Sequence, residues 1–164
     1  MKIVICGSMS SAVQMLAAKK ELLQNNHEVV LPKHTKKYAE KVLAEESSHE
    51  STKNKIEHDL IRDYFEKIKN ADAVLIVNID KKGIRNYIGG NSFLEMGFAH
   101  CLNKTIFILN DIPEMIYTDE LLAMQPVILN GDLFKIQRLP AWQAEAVGWG
   151  CSADRARHYI CGIS

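Results

Sequence analysis

The segment Tyr87-Ile88-Gly89-Gly90-Asn91-Ser92-Phe93-Leu94-Glu95-Met96-Gly97 places one carboxylate, Glu95, in the first turn of an otherwise apolar helix, just behind a glycine pair. Upstream, Ala73-Val74-Leu75-Ile76-Val77-Asn78 is a short, β-branched, apolar run of the kind that forms a strand buried on both faces of a parallel sheet. This order of strand, loop, glycines and helix matters. In open α/β sheets the loops at the carboxyl ends of strands line the ligand crevice, and a helix N-terminus there offers free N–H groups and partial positive charge.

Two readings of Glu95 stand side by side. In one, Ser92-Phe93-Leu94-Glu95 is a capping box: Ser92 accepts from the Glu95 N–H and the carboxylate returns to the Ser92 N–H. In the other, Phe93, Leu94, Met96, Phe98, Ala99, Cys101 and Leu102 surround the helix with apolar side chains, and a carboxylate in such company is costly unless paired or functional. The helix N-terminus would then keep Glu95 ionised, as suits a nucleophile or charge stabiliser.

The elements that must position Glu95 follow from periodicity. Residues 2–6 read as a first strand, followed by the turn Gly7-Ser8 and a helix over 10–25 whose apolar stripe is Val13, Leu16, Ala17, Leu22 and Leu23. A second strand at 28–31 is stopped by Pro32. The polar stretch 33–55 reads as a short helix around 36–45 and a connection with the character of a lid. A longer helix follows over 53–70, with Ile56, Leu60, Ile61, Phe65 and Ile68 at helical spacing. Then come the strand at 73–78, a loop over 79–91, the glycine-headed helix over 92–102, a strand at 105–109, a short helix over 117–124 and a strand at 126–129. Strands alternating with helices predict a flavodoxin-like (Rossmann-like) α/β fold, a doubly wound five-stranded parallel sheet with helices on both faces.

Composition narrows the function. With 164 residues and 47% hydrophobic content the chain can bury one core, and equal acidic and basic totals give no sign of a nucleic acid polymer or an anionic membrane as partner. No apolar run approaches the roughly 18 residues needed to span a bilayer, so a small-molecule ligand and a cytoplasmic location are expected. The four cysteines include no CxxC pair, and neither a metal nor an organic cofactor is expected. Beyond residue 138 the composition shifts: both tryptophans and two of the four cysteines appear, and lysine disappears. Residues 1–138 therefore read as the α/β domain and 139–164 as a non-native or vector-derived tail.

Cys6-Gly7-Ser8 after the first strand, Ala71-Asp72-Ala73-Val74 opening the third, Gly89-Gly90-Asn91-Ser92-Phe93-Leu94-Glu95-Met96-Gly97-Phe98-Ala99 and Lys104-Thr105-Ile106 together resemble the nucleoside 2-deoxyribosyltransferase superfamily, including its nucleotide-preferring N-glycoside hydrolases. The resemblance runs over roughly residues 2–133. It implies that Glu95 is the nucleophile that attacks the anomeric carbon of a (deoxy)ribose, giving a glycosyl-enzyme resolved by a base or by water. It also implies a homodimer, because relatives complete their sites across a dimer interface. The superfamily carries an aspartate eight residues before the aspartate of the third strand, where it helps handle the nucleobase or the leaving-group proton, so the resemblance makes Asp63 or Tyr64 the candidate catalytic assistant to Glu95. Here that position is Tyr64, with Asp63 adjacent, and one residue on a helix turns a side chain by about 100°.

The turn Gly7-Ser8-Met9-Ser10 offers N–H groups and hydroxyls for a phosphate or ribose hydroxyl, although any strand-to-helix turn needs a glycine and a capping serine. The resemblance makes it look like the 5′-phosphate cradle of the nucleotide-preferring branch. Asn78, Tyr87, Gly89, Gly90 and Asn91 fall on the crevice side, where a base can stack on Tyr87 and bond to an amide. Lys81, Lys82 and Arg85 make the same loop basic. The expected function is cleavage or transfer at the N-glycosidic bond of a nucleoside or nucleoside 5′-monophosphate. The rival is a nucleotide-binding or sensing module of the same fold, which Tyr64 in place of the aspartate would suit.

Overall fold

β1 (Lys2–Gly7) shows why the sheet is covered on both sides: Ile3 and Ile5 enter one buried cluster, and Val4 and Cys6 enter another. That is the period of two expected when both faces of a strand are packed. The same division holds in β3 (Ala73–Val77), where Ala73, Leu75 and Val77 face one cluster and Val74 and Ile76 the other. A computed structural model describes residues 1–41, Lys53, Ile56 and 59–138. The tail expected over 139–164, and most of the expected connection between 42 and 58, lie outside the described residues.

The main sheet has five strands in the order β2-β1-β3-β6-β7, all parallel, where β2 is Glu28–Val30, β6 is Thr105–Ile108 and β7 is Val127–Ile128. Helix α1 (Ala12–Gln24) packs on the face of Ile3, Ile5 and Leu75. α3 (Leu60–Lys69), α4 (Gly90–Cys101) and α5 (Thr118–Ala123) contribute Ile68, Met96, Ala99 and Leu121 to the other face. α2 (Thr35–Ala39) is a short helix against α1. The predicted flavodoxin-like fold is therefore the observed one. Its strand order reverses between β1 and β3, the place where open α/β sheets leave a crevice at their carboxyl ends.

Three local expectations give way to the structure. The buried stripe of α1 is Ala12, Met15, Ala18 and Leu22, whereas Val13 and Leu23 are exposed. The small alanines allow closer approach to the sheet than a branched stripe would. The stretch predicted as a loop after β3 contains a hairpin, β4 (Ile79–Lys81) and β5 (Ile84–Tyr87). Its two-residue turn, Lys82-Gly83, has φ of 54° and 75°, matching the type I′ turn that suits strand twist. Finally, α4 starts at Gly90 with Gly89 as its N-cap and no side-chain capping bond. The capping box at Ser92 does not form, and Glu95 lies in the second turn.

Gly7 ends β1 where space is shortest. A Cβ there would stand 3.0 Å from Ser11 Oγ, 3.1 Å from the Val77 carbonyl and 3.3 Å from Met15 Sδ. The carbonyl belongs to the neighbouring strand and cannot yield without disturbing the β1–β3 pairing. Gly97, inside α4, would meet nothing within 4 Å. Gly7→Ala should therefore lower the unfolding free energy by about 1–3 kcal/mol, while Gly97→Ala should raise it by about 0.4–1 kcal/mol. Urea denaturation of the two variants checks the contrast, and equal midpoints would contradict the packing described.

Candidate functional site

A cleft of about 390 Å³ opens at the reversal point, lined by Gly7, Ser8 and Met9 after β1, Tyr38 of α2, Lys81, Lys82 and Tyr87 of the hairpin, and Gly89 to Ser92 at the start of α4. The β1 turn, the hairpin and the glycine-headed helix meet here because β1 and β3 are adjacent and both end on this edge. Another depression, along α1, is lined by Leu16, Lys19, Lys20, Leu23 and Gln24 and by none of the residues expected to bind or catalyse.

Of the residues expected to bind, Gly7, Ser8, Tyr87, Gly89, Gly90 and Asn91 line the cleft. Ser10 stands at its edge, its hydroxyl donating to Ser8 Oγ at 2.9 Å. Asn78 is different. It is buried, its amide donates to the carbonyls of Asn86 (3.2 Å) and Asp111 (2.9 Å), and its oxygen accepts from the Asn110 N–H at 2.9 Å. Asn110 Nδ2 returns to the Asn78 carbonyl at 2.7 Å. Asn78 thus ties the hairpin to the segment after β6, and its side chain is used within the protein.

Glu95 is only partly exposed and lies one helical turn beyond Asn91, on the same side of α4. It does not line the cleft itself. Its carboxyl lies near the end of β1, close enough to the buried Cys6 thiol for the two to influence each other, while the thiol's own hydrogen bond goes to the Val4 carbonyl at 4.0 Å. Burial raises the Glu95 pKa from an ordinary 4.5 to about 7, opposed by the nearby Cys6 thiol and by the positive charge of Lys67. The expectation that the helix dipole keeps Glu95 ionised is thus overturned. Desolvation outweighs a terminal dipole that fades within the first turn, and Glu95 is in the second.

Tyr64 and Asp63 separate cleanly. Tyr64 faces inward, its hydroxyl donating to the Ile5 carbonyl at 3.2 Å. Burial, with the neighbouring Cys6, Glu95 and Asp63, pushes its phenol well above the usual range. Asp63 turns outward to Lys67, 2.7 Å away, and to Lys33 at 3.5 Å. The Lys67 hydrogen bond is the main reason its pKa is lowered. Lys67 also sits 5.0 Å from the centre of the Tyr64 ring. Tyr64 is therefore the one of the pair that shares Glu95's surroundings, and neither is tuned to release a proton near neutral pH.

Sequence reading passed over Cys6 and Tyr38 as site residues and left Lys81 as a basic edge. Cys6 was accessible from parity, since it shares the Val4 face of β1 and ends the strand beside the crevice. Tyr38 carried no comparable signal, because it arrives from a short helix in a polar stretch.

No family model and no curated protein matches the chain. Among solved structures it is similar to a 2-deoxyribosyltransferase from the psychrotolerant bacterium Bacillus psychrosaccharolyticus, with 21% identity and a TM-score of 0.44 over 66% of this chain and 71% of that one. It is also similar to the Clostridium botulinum CMP N-glycosidase, with 14% identity and a TM-score of 0.40 over 78% of this chain and 85% of that one. Among the described residues no helix is long and apolar enough to cross a membrane.

Two predictions follow from these environments. Asn78→Asp would set a carboxylate against the Asn86 and Asp111 carbonyls in place of a donor, so it should lower stability by at least about 2 kcal/mol in urea denaturation at pH 7. An Asp variant as stable as the parent would refute the network's role. For Glu95 the folded chain holds a proton that the unfolded chain releases, so its contribution is fully present below pH 4.5 and is lost as pH rises through about 7. Glu95→Gln does not titrate, and its stability relative to the parent should rise between pH 5 and pH 8 by up to about 3 kcal/mol. Thermal melts at the two pH values measure that change, and a constant difference would disprove the burial effect.

Proposed function

We propose that this chain cleaves or transfers at the N-glycosidic bond of a nucleoside or nucleoside 5′-monophosphate, with Glu95 attacking the anomeric carbon. The observation that carries the reading is a Glu95 carboxyl not engaged in helix capping, half-buried near Cys6 and Tyr64 and one turn of α4 beyond Asn91, which lines the cleft at the sheet's reversal point. The sequence resemblance supports giving that carboxylate the nucleophile's role. Tyr38 and Tyr87 offer flat surfaces to a base, and the serine turn offers hydroxyls to the sugar or its phosphate. Attack by the ionised carboxylate expels the base and leaves a glycosyl ester, which water or a second base then resolves with retention. Cys6 and the charge of Lys67 favour the ionised form and oppose burial.

A second reading, a nucleotide-binding or sensing module in a cytoplasmic setting, draws on Tyr64 and Asp63. The first is engaged with the Ile5 carbonyl and the second with two lysines, so neither is ready to protonate a departing base. A homodimer is part of both readings, supported by the exposed Leu94 of α4 and Leu122 of α5.

The deciding experiment incubates the protein with nucleosides and their 5′-monophosphates and follows free base by chromatography. Base release should rise with pH through about 7, as ionised Glu95 accumulates, and fall at least about 100-fold in Glu95→Gln. Binding without base release would favour the sensor. Undiminished turnover by the Gln variant would remove Glu95 from the mechanism.

A further inference from the structure

Lys81 lies outside every segment that carries the family resemblance, yet it reaches across the cleft mouth. From the end of β4 its Nζ stands 2.9 Å from Ser8 Oγ and 3.0 Å from Ser10 Oγ. The two hydroxyls are themselves joined at 2.9 Å. The geometry points to Lys81 as a specificity-determining residue that makes the cleft select a phosphorylated substrate, a nucleoside 5′-monophosphate, over the free nucleoside.

The proton count supports an anionic occupant. Each serine hydroxyl has one proton and two acceptor positions. One proton joins the two serines, and Lys81 donates to both oxygens. The remaining hydroxyl proton must therefore point away from the cluster, and Ser8 is on the cleft wall. What the cluster offers is a donor backed by a cation, complementary to a phosphate oxygen. Lys82 lines the same cleft, and among the described residues no Asp or Glu does. A neutral sugar gains little from such a surface, whereas a phosphate gains charge-assisted bonds. A hairpin rather than the β1 turn supplies the cation, so selectivity is carried by an element separate from the one that holds Glu95.

This inference rests on the reading of the cleft as a nucleoside site, and its test is kept independent of turnover. In the Glu95→Gln background, calorimetry with deoxyadenosine, deoxycytidine, deoxyguanosine and thymidine, with their 5′-monophosphates, and with inorganic phosphate measures binding alone. At least one monophosphate should bind tenfold or more tightly than its nucleoside and more tightly than inorganic phosphate. Lys81→Met should reduce the monophosphate-to-nucleoside ratio below threefold, and Lys81→Arg should retain most of it. Raising salt from 0.05 to 0.5 M should weaken the monophosphate selectively in the protein with Lys81 intact. Equal affinities for the two classes, an unchanged ratio in Lys81→Met, or salt-insensitive monophosphate binding would overturn the inference. Base release from nucleosides with no phosphate preference would defeat the Lys81 role and leave the enzymatic reading standing. Phosphate-selective binding without base release would do the reverse.

Discussion

The direct pairing of β1 with β3 is the constraint on which the site depends. Five residue pairs from Ile3↔Ala73 to Gly7↔Val77 hold these strands in parallel register, so both end on one edge. The chain leaves β1 toward one face of the sheet and reaches the other face after β3 by way of the hairpin and α4. The crevice is what remains between those diverging paths. Gly7 marks the tightest point, where even a methyl group would press on the carbonyl of Val77.

The same pairing explains the state of Glu95. Because β1 alternates strictly, Cys6 faces the layer that contains α3 and α4, and Tyr64 and Glu95 reach it from those two helices. Three polar side chains then share a region in which Cys6 is fully buried and Tyr64 and Glu95 are half-buried. The thiol and the phenol keep their protons, and the carboxyl is poised near neutrality. Folding thus tolerates a group whose ionised form works against stability.

Much of the fold was legible from residue patterns because burial on both faces produces apolar runs, such as Ala73 to Val77, that have few alternative readings. The hairpin was harder to see. Its strands are short and polar, and the one clue, a glycine after Lys82, is weak by itself. The start of α4 shifted by two residues because Gly89 caps it through backbone conformation, which leaves no side-chain signature. Glu95 stood out as a lone acid in an apolar helix, but its charge state depended on depth within the layer, and depth is a tertiary property. Asn78 illustrates the opposite failure. Its type and position suited a ligand contact, and only the carbonyls of Asn86 and Asp111 show where its amide is used.

The Asn78 bonds give the hairpin an uneven mechanical character. Its root is clamped by an internal amide that also grips the segment after β6, and the Asp80 carboxylate braces the root further by accepting from the Asn86 N–H. At the far end, Lys81 anchors to Ser8 and Ser10 through a long, flexible stem. The root is therefore the stiffer attachment, because buried amide bonds hold it while a rotamer-rich lysine side chain holds the end near the turn.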